Sequence, residues 1–446
     1  MGNPRTSGKA LFSRGAAETL ALTTLSISVL TFSGAASVSA EPVKLSAGLE
    51  NIYSDNVRLR ANNEESDMET RLSVNVNHVS DPGRCNSRLG GEVGVGYWWE
   101  STYDPELYTD LGFRGDCEIT RGLDWEVSNS LRDVQTDSRE AATPDNTSSK
   151  NVFTTGPVYT LPITKTDVLS FSAKYQRTDY FESQGDDDNQ VDGQRVIGSA
   201  SWNHLFSSTL SAGLRVSTDR AELENDTEID KNTASVIFSN AWPATQISGS
   251  VGVTELETRF TDSSRPPSNT EAFVGNVSLD RQINPSADFY LNVRRDVTDQ
   301  TSDFDIEVAG FSFNLRETEV IEVTTVNTGI NKRFGDSTNL NVEAFASRSL
   351  YVLSDVEEDR IGLEANVVRP IATRWNGTAG AGYTYLTYDE NQADDTLADV
   401  YLGLLYKASS QLNIQGRIGH NRRTSDVPSR EYQENWILLG LEYRFF

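Results

Sequence analysis

The sequence predicts an all-β protein: a transmembrane, antiparallel, up-and-down barrel with an even strand number of about twenty. Three observations carry this. Apolar side chains recur at every second position over segments of about ten residues. Beyond residue 40 no run of about 18 apolar residues occurs, so any membrane residence falls to a closed barrel. Short and long connections alternate along the chain, a parity that a soluble sandwich has no reason to keep.

The first forty residues form a separate unit. Arg5, Lys9 and Arg14 precede the apolar stretch Leu20 to Phe32, and small residues lead up to Ala40. That is the pattern of a secretory signal, here residues 1–40, cleaved after Ala40. A membrane anchor is the alternative, but the apolar run is short and rich in Thr and Ser. The mature domain is then 41–446.

Strands follow in order. Segments 43–54 and 68–79 open the domain, and in 86–100 Leu89, Val93, Val95, Tyr97 and Trp99 alternate with Arg88, Glu92 and Gly94. After 106–118, Leu123, Trp125 and Val127 alternate with Asp124, Glu126 and Ser128 in 123–133. Segments 151–161, 168–181 and 191–204 come next, then 209–221, where Leu210, Ala212, Leu214 and Val216 share one face. Segments 232–242, 246–260, 270–281 and 287–298 continue the pattern. Alternation fails in 299–317 and is weak at the start of 318–333, which leaves eighteen strands as the alternative count. It returns in 338–353, in 359–369 with Ile361, Leu363, Ala365 and Val367, and in 374–388 and 396–407. Leu412, Ile414, Gly416 and Ile418 alternate with Gln411, Asn413, Gln415 and Arg417 in 411–423, and 434–446 closes the chain.

Connections such as 80–84, 120–122, 162–167 and 243–245 are tight, whereas 55–67, 134–150, 182–190, 222–231, 299–317 and 424–433 are long and polar. Both termini then share the short-turn, periplasmic rim, and of the long loops only 134–150 and 299–317 have the length to fold into the lumen.

Composition narrows the partners. The 446 residues carry 65 acidic and 39 basic side chains, a formal charge of −26 and a pI near 4.5. Without Arg5, Lys9, Arg14 and Glu18, 36 basic and 64 acidic residues remain and the charge is −28. Nucleic acid is excluded as an electrostatic partner, because phosphate neutralisation needs clustered Lys and Arg. Counting Gly and omitting Tyr, apolar residues make up about 41% of the chain, below the ~45–50% of soluble domains. A wall one sheet thick, with no large central core, accounts for that deficit.

Inward register collects charges of both signs: Arg71, Arg88, Glu92, Arg114, Asp124, Glu126, Lys174, Arg195, Arg215, Arg294, Glu343, Arg360, Glu364, Arg374, Arg417, Glu442 and Arg444. They either stiffen the wall as ladders or set the transverse field of a constriction. Cys85 and Cys117 are equidistant from Ser101 in one hairpin, which predicts a disulfide near the periplasmic rim. His78, His204 and His420 are far apart in the chain, and no triad, zinc-ligand spacing or phosphate loop accompanies them. His78 and His204 lie beside short turns, and His420 shares the lipid-facing parity of Ile418. Asp186, Asp188 and Asp192 alternate in a loop as weak calcium ligands, but a solvated acidic hairpin tip is the better reading. No cofactor is expected.

The last residues, Trp436 to Phe446, resemble the C-terminal insertion signal of bacterial outer-membrane barrels. Gly440 precedes aromatics at Tyr443, Phe445 and the terminal Phe446, with the outward register on Tyr443 and Phe445. Barrel assembly machinery and outer-membrane lipid, including lipopolysaccharide, are the partners this implies. The opening strand, Leu45 to Val57 with its Tyr53-Ser54-Asp55-Asn56-Val57, resembles the β-barrel porin family of Gram-negative outer membranes. Some of its members are encoded with exopolysaccharide genes, so the resemblance implies a passive channel, polysaccharide cargo, export components as partners, and no catalytic residues to transfer. A loop-closed structural barrel presenting a surface for interaction is the rival expectation, and an outer-membrane hydrolase the third.

Overall fold

The computed structural model describes residues 43–181, 190–261, 266–307, 313, 315, 320–388 and 393–445. The leader expected over residues 1–40, Phe446, and Asp186 and Asp188 lie outside the described residues. None of the described helices is long and apolar enough to cross a membrane.

Strands dominate: β1 (Lys44–Ser54), β2 (Asp67–Val79), β3 (Cys85–Trp98), β4 (Glu106–Thr120), β5 (Leu123–Gln135), β6 (Thr147–Pro162), β7 (Asp167–Phe181), β8 (Gly193–Leu205), β9 (Leu210–Leu223) and β10 (Thr227–Trp242) form the first half. The second half is β11 (Thr245–Phe260), β12 (Ser268–Asn284), β13 (Ala287–Thr298), β14 (Ile321–Arg333), β15 (Asn339–Tyr351), β16 (Val356–Ala372), β17 (Trp375–Tyr388), β18 (Ala393–Lys407), β19 (Leu412–Ser425) and β20 (Tyr432–Arg444). Each strand pairs antiparallel with its chain neighbours in a single 20-stranded sheet. The sheet closes where β20 pairs with β1, from Ser46↔Arg444 to Ser54↔Trp436. Closure removes the free edges that lipid would leave without hydrogen-bond partners. The weak segment after residue 317 is thus a true strand, β14, and the count is twenty.

One face of the closed sheet is apolar and open. Leu402, Val253 and Leu439, on this face, are 61, 61 and 63% exposed, within a continuous belt of apolar side chains of the kind that a barrel turns toward lipid. Aromatic residues border this belt at both rims, with Trp125, Trp202, Trp242 and Trp375 toward the short turns and Tyr53, Tyr97, Trp99 and Tyr385 toward the long loops. In β20 the outward positions are Ile437, Leu439, Leu441 and Tyr443, with Phe445 just beyond, as the terminal alternation predicts.

Two expectations change. Residues 222–231 are not a long loop: β9 runs to Leu223 and β10 begins at Thr227. The alternation continues there with its polarity reversed. Ala221, Leu223, Ile229, Leu256 and Val274 turn inward and pack with Val191, Val297 and Val320, while Arg220, Asp230, Glu257 and Arg259 point outward and form ion pairs. Where the wall rises past the lipid, its outside meets water and its inside meets packed protein, so the two faces exchange character. The barrel is also not empty. A second buried cluster joins Phe304, Phe313 and Leu315 to the inward Ile321, Val323 and Tyr351, giving the long-loop half a core that a single-sheet wall would lack.

At the short-turn rim, Arg121-Gly122 make a two-residue hairpin with φ 79° at Gly122, a conformation that favours glycine. Cys85 and Cys117 face each other across β3 and β4 and are joined by a disulfide. Gly91, inside β3, has φ 139°, and a Cβ there would come within 1.9 Å of the Asp110 carbonyl oxygen. Gly91→Ala should therefore cost roughly 1–3 kcal/mol, read as a lowered urea midpoint of the vesicle-folded barrel. Gly335→Ala, with nothing within 4 Å of the new Cβ, should leave it unchanged.

Candidate functional site: a lumen occupied by an inward loop

Residues 299–305, in the connection from β13 to β14, lie inside the barrel and are held there by inward-facing side chains of β6, β7 and β8. Asp299 is 3% exposed and accepts from Arg195 Nη2 at 2.5 Å, while Arg195 Nη1 donates to Asp219 on β9 at 2.6 Å. The Thr301 carbonyl accepts from Gln176 Nε2 at 3.0 Å and from Thr178 Oγ1 at 2.6 Å. Tyr180 donates its hydroxyl to the Gln300 carbonyl at 2.6 Å. Lys150, fully buried, donates to the Ser302 carbonyl at 2.6 Å and to Asp305 at 2.8 Å. Lys231 binds Asp296 and the Val297 carbonyl at the end of β13, each at 2.7 Å, and so fixes the strand from which the loop leaves.

Period-two alternation is what aims these groups: Gln176, Thr178 and Tyr180 occupy every second position of β7, all on the inward face. Their loop partners are backbone carbonyls that no regular structure satisfies, so the wall supplies the donors. Burial pushes the Asp299 carboxyl up, but Arg195 and the hydrogen bonds of Thr301 outweigh it, and the group sits below its ordinary 3.8.

The connection from β5 to β6 folds in as well. Asp137 and Ser138 are buried, the Leu315 N–H donates to the Thr136 carbonyl at 2.9 Å, and the Arg139 carbonyl accepts from Arg423. Arg423 also pairs with the buried Asp395. Arg58 and Arg430 reach the same loop at Asp145 and Glu140, 3.8 and 3.6 Å away.

Register places Arg71, Arg88, Glu92, Arg114, Asp124, Glu126, Lys174, Arg195, Arg215, Arg294, Glu343, Arg360, Glu364, Arg417, Glu442 and Arg444 on the inward face. Arg374 is different: it lies in the two-residue turn after β16, exposed at the rim, because the hairpin ends one residue short of the wall. Several of the rest are paired locally: Lys174 with Glu126 at 2.6 Å, Arg71 with Glu69 at 3.0 Å, and Arg444 with Glu442 at 3.2 Å. Arg294 lies over the Phe304 ring at 4.4 Å and Arg417 over Tyr401 at 5.8 Å. Glu343 and Glu364 stand directly opposite one another, as do Arg88 and Arg114 and, two inward positions along the same strands, Glu92 and Asp110.

Sequence reasoning passed over Lys150, Gln176, Thr178, Tyr180 and Asp299, which hold the loop. A signal existed for Lys150, which shares a rung with the inward Arg132. Asp192 accepts from the Tyr180 N–H at 2.7 Å, and no cluster suited to a metal ion occurs among the described residues. His420 faces outward and hydrogen-bonds Asn435 at 2.9 Å, and His204 binds Asp167 at 2.8 Å. His78 lies one residue from the end of β2, at the short-turn rim.

Below the loop the lumen opens. One cavity of about 930 Å³ is lined by residues such as Ser217, Thr233, Ser235, Asn276, Ser278 and Asn292, and another of about 800 Å³ lies along β3 to β6.

Breaking one buried ion pair that holds the loop leaves a lone charge, at about 3–5 kcal/mol. Lys150→Met should expose the loop to limited proteolysis, and Lys150→Met with Asp305→Leu should restore protection. For Asp299 the folded value is depressed, so its contribution is fully present above pH 3.8 and is lost as pH falls through the lower folded value. Proteolytic protection by this contact should be flat from about pH 5 to 8 and fall only in stronger acid.

No curated protein matches this sequence. Among solved structures, a BenF-like porin from Pseudomonas fluorescens Pf-5 is 12% identical at a TM-score of 0.43, covering 91% of this chain and 99% of that one. OccK2 (OpdF) of Pseudomonas aeruginosa is 10% identical at 0.43, covering 90% and 98%. The FrpB iron transporter of Neisseria meningitidis is 8% identical at 0.44, covering 91% and 83%. Residues 319–445, from β14 through β20, match the model of the family described as Putative beta-barrel porin 2.

Proposed function

We propose that this barrel is a passive outer-membrane channel for hydroxyl-rich solutes, with outward passage of polysaccharide as its principal task. The observation that supports it is the chemistry of the lumen beneath the inward loop. Ser217, Thr233, Ser235, Asn276, Ser278 and Asn292 line one continuous hollow, and each both donates and accepts hydrogen bonds. Sugar hydroxyls do the same, so a glycan exchanges water for wall contacts at little net cost while an apolar solute gains nothing. Twenty strands enclose an aqueous interior unless it is filled. The loop from Asp299 onward narrows its long-loop half, and in this reading sets the size limit.

That same loop favours a second reading, a barrel closed at its outer half and used as a surface for contact. Its docking through Arg195, Lys150 and the β7 donors is extensive. Planar-bilayer recording separates the two. Discrete single-channel steps, enlarged when Lys150→Met frees the loop, are expected of the channel; an absence of steps in both proteins supports the closed barrel. Gln300 sharpens the test. Neither of its buried side-chain amide atoms meets a hydrogen-bond partner among the described residues. Gln300→Leu removes that desolvation cost, about 1–3 kcal/mol, and should lower the open fraction of the same steps.

A further inference from the structure

We propose that Arg88 and Arg114 form a carboxylate-binding station inside the lumen, and that it selects a glycan bearing spaced carboxylates, such as a uronic-acid chain. The proposal rests on the reading of the barrel as a glycan channel. The two residues are direct partners across β3 and β4, both on the inward face. Like charges in that position repel and weaken a sheet. Several other lumen cations are offset: Arg71 by Glu69, Lys174 by Glu126, Arg195 by Asp219 and Asp299, Arg444 by Glu442. Arg88 and Arg114 have no ion-pair or hydrogen-bond partner among the described residues, and their side chains are exposed to the cavity of about 800 Å³ that they line. Two guanidinium forks side by side present donors in the planar geometry that a carboxylate fills.

The surroundings point to a sugar acid more than to a simple anion. Asn77, Ser128 and Thr154 line the same cavity and supply donors and acceptors for hydroxyl groups. Asp303 of the inward loop lines it too, and Asp116 lies one inward position beyond Arg114, held by Asn86 at 3.0 Å. Acidic groups on either side of a basic pair disfavour a dense polyanion and admit a chain whose charges are one ring apart.

The test uses the full-length barrel folded in detergent and then in planar bilayers at low ionic strength, with trigalacturonate, maltotriose and inorganic sulfate as probes. Calorimetry should show trigalacturonate binding about tenfold or more tighter than maltotriose. Arg88→Gln with Arg114→Gln should abolish that preference and leave maltotriose unaffected, while the double Lys variant, keeping charge without the fork, should retain part of it. Heat-shifted migration of every variant checks that the barrel is formed. Equal affinity for the two sugars, an undiminished preference in the Gln variant, or sulfate binding as tightly as trigalacturonate each overturns the station. Saturable, arginine-dependent binding in a barrel that gives no current upholds the station and overturns the channel reading; current without carboxylate preference does the reverse.

Discussion

Lipid offers the backbone no hydrogen-bond partner, and every feature of this barrel follows from meeting that demand with one closed sheet. The seam between β1 and β20 is the decisive pairing, because without it two edges would face hydrocarbon. Once the ring is closed, a strand has only two faces to allot. Hydrocarbon takes one, which fixes which parity carries Leu402, Leu439 and Ile437, and the lumen receives the other by default. The polar interior is a consequence of closure before it is an adaptation to cargo.

The reversal of polarity in β9 to β12 shows the same rule at its limit. Parity never changes along these strands, yet above the lipid the inward positions become Ala221, Leu223, Ile229 and Leu256 and the outward ones Arg220, Asp230 and Arg259. What changes is the surrounding medium on each side. Water replaces lipid outside, and the inward loop replaces water inside. The second apolar cluster around Phe304 and Tyr351 belongs to the same region, so the long-loop half behaves as a small packed protein and the short-turn half as a hydrated tube.

The loop itself is held by opposites of unequal kind. Its apolar residues pack, but its position is set by charged and polar contacts from Lys150, Gln176, Thr178, Tyr180 and Arg195. Such contacts add little net stability where charge is buried, yet they define one docked arrangement, because any displacement leaves several groups unsatisfied at once. A lumen occupant of this sort is tightly placed without being strongly bound, which suits a size limit on a passive path.

Much of this was legible in the sequence, because the relevant chemistry repeats. Alternation at every second residue reports which medium each face meets, and it carried the strand order, the outward register of the last strand and the hairpin that brings Cys85 to Cys117. Residues 222–231 escaped because a run such as Glu222 to Asp230 reads as a polar loop when the expected apolar face is the outer one. Arg374 was placed on the wall by parity alone, and a hairpin end at Ala372 moved it to the rim. The sequence by itself determined the closed barrel and the medium on each side of its wall, since hydrophobic periodicity is local along a strand. Only the tertiary structure decided that Asp299 meets Arg195, that Lys150 meets Asp305 and that Arg88 and Arg114 stand unpaired together. Those relations depend on inter-strand register and on the path of one aperiodic loop, and no local repeat encodes either.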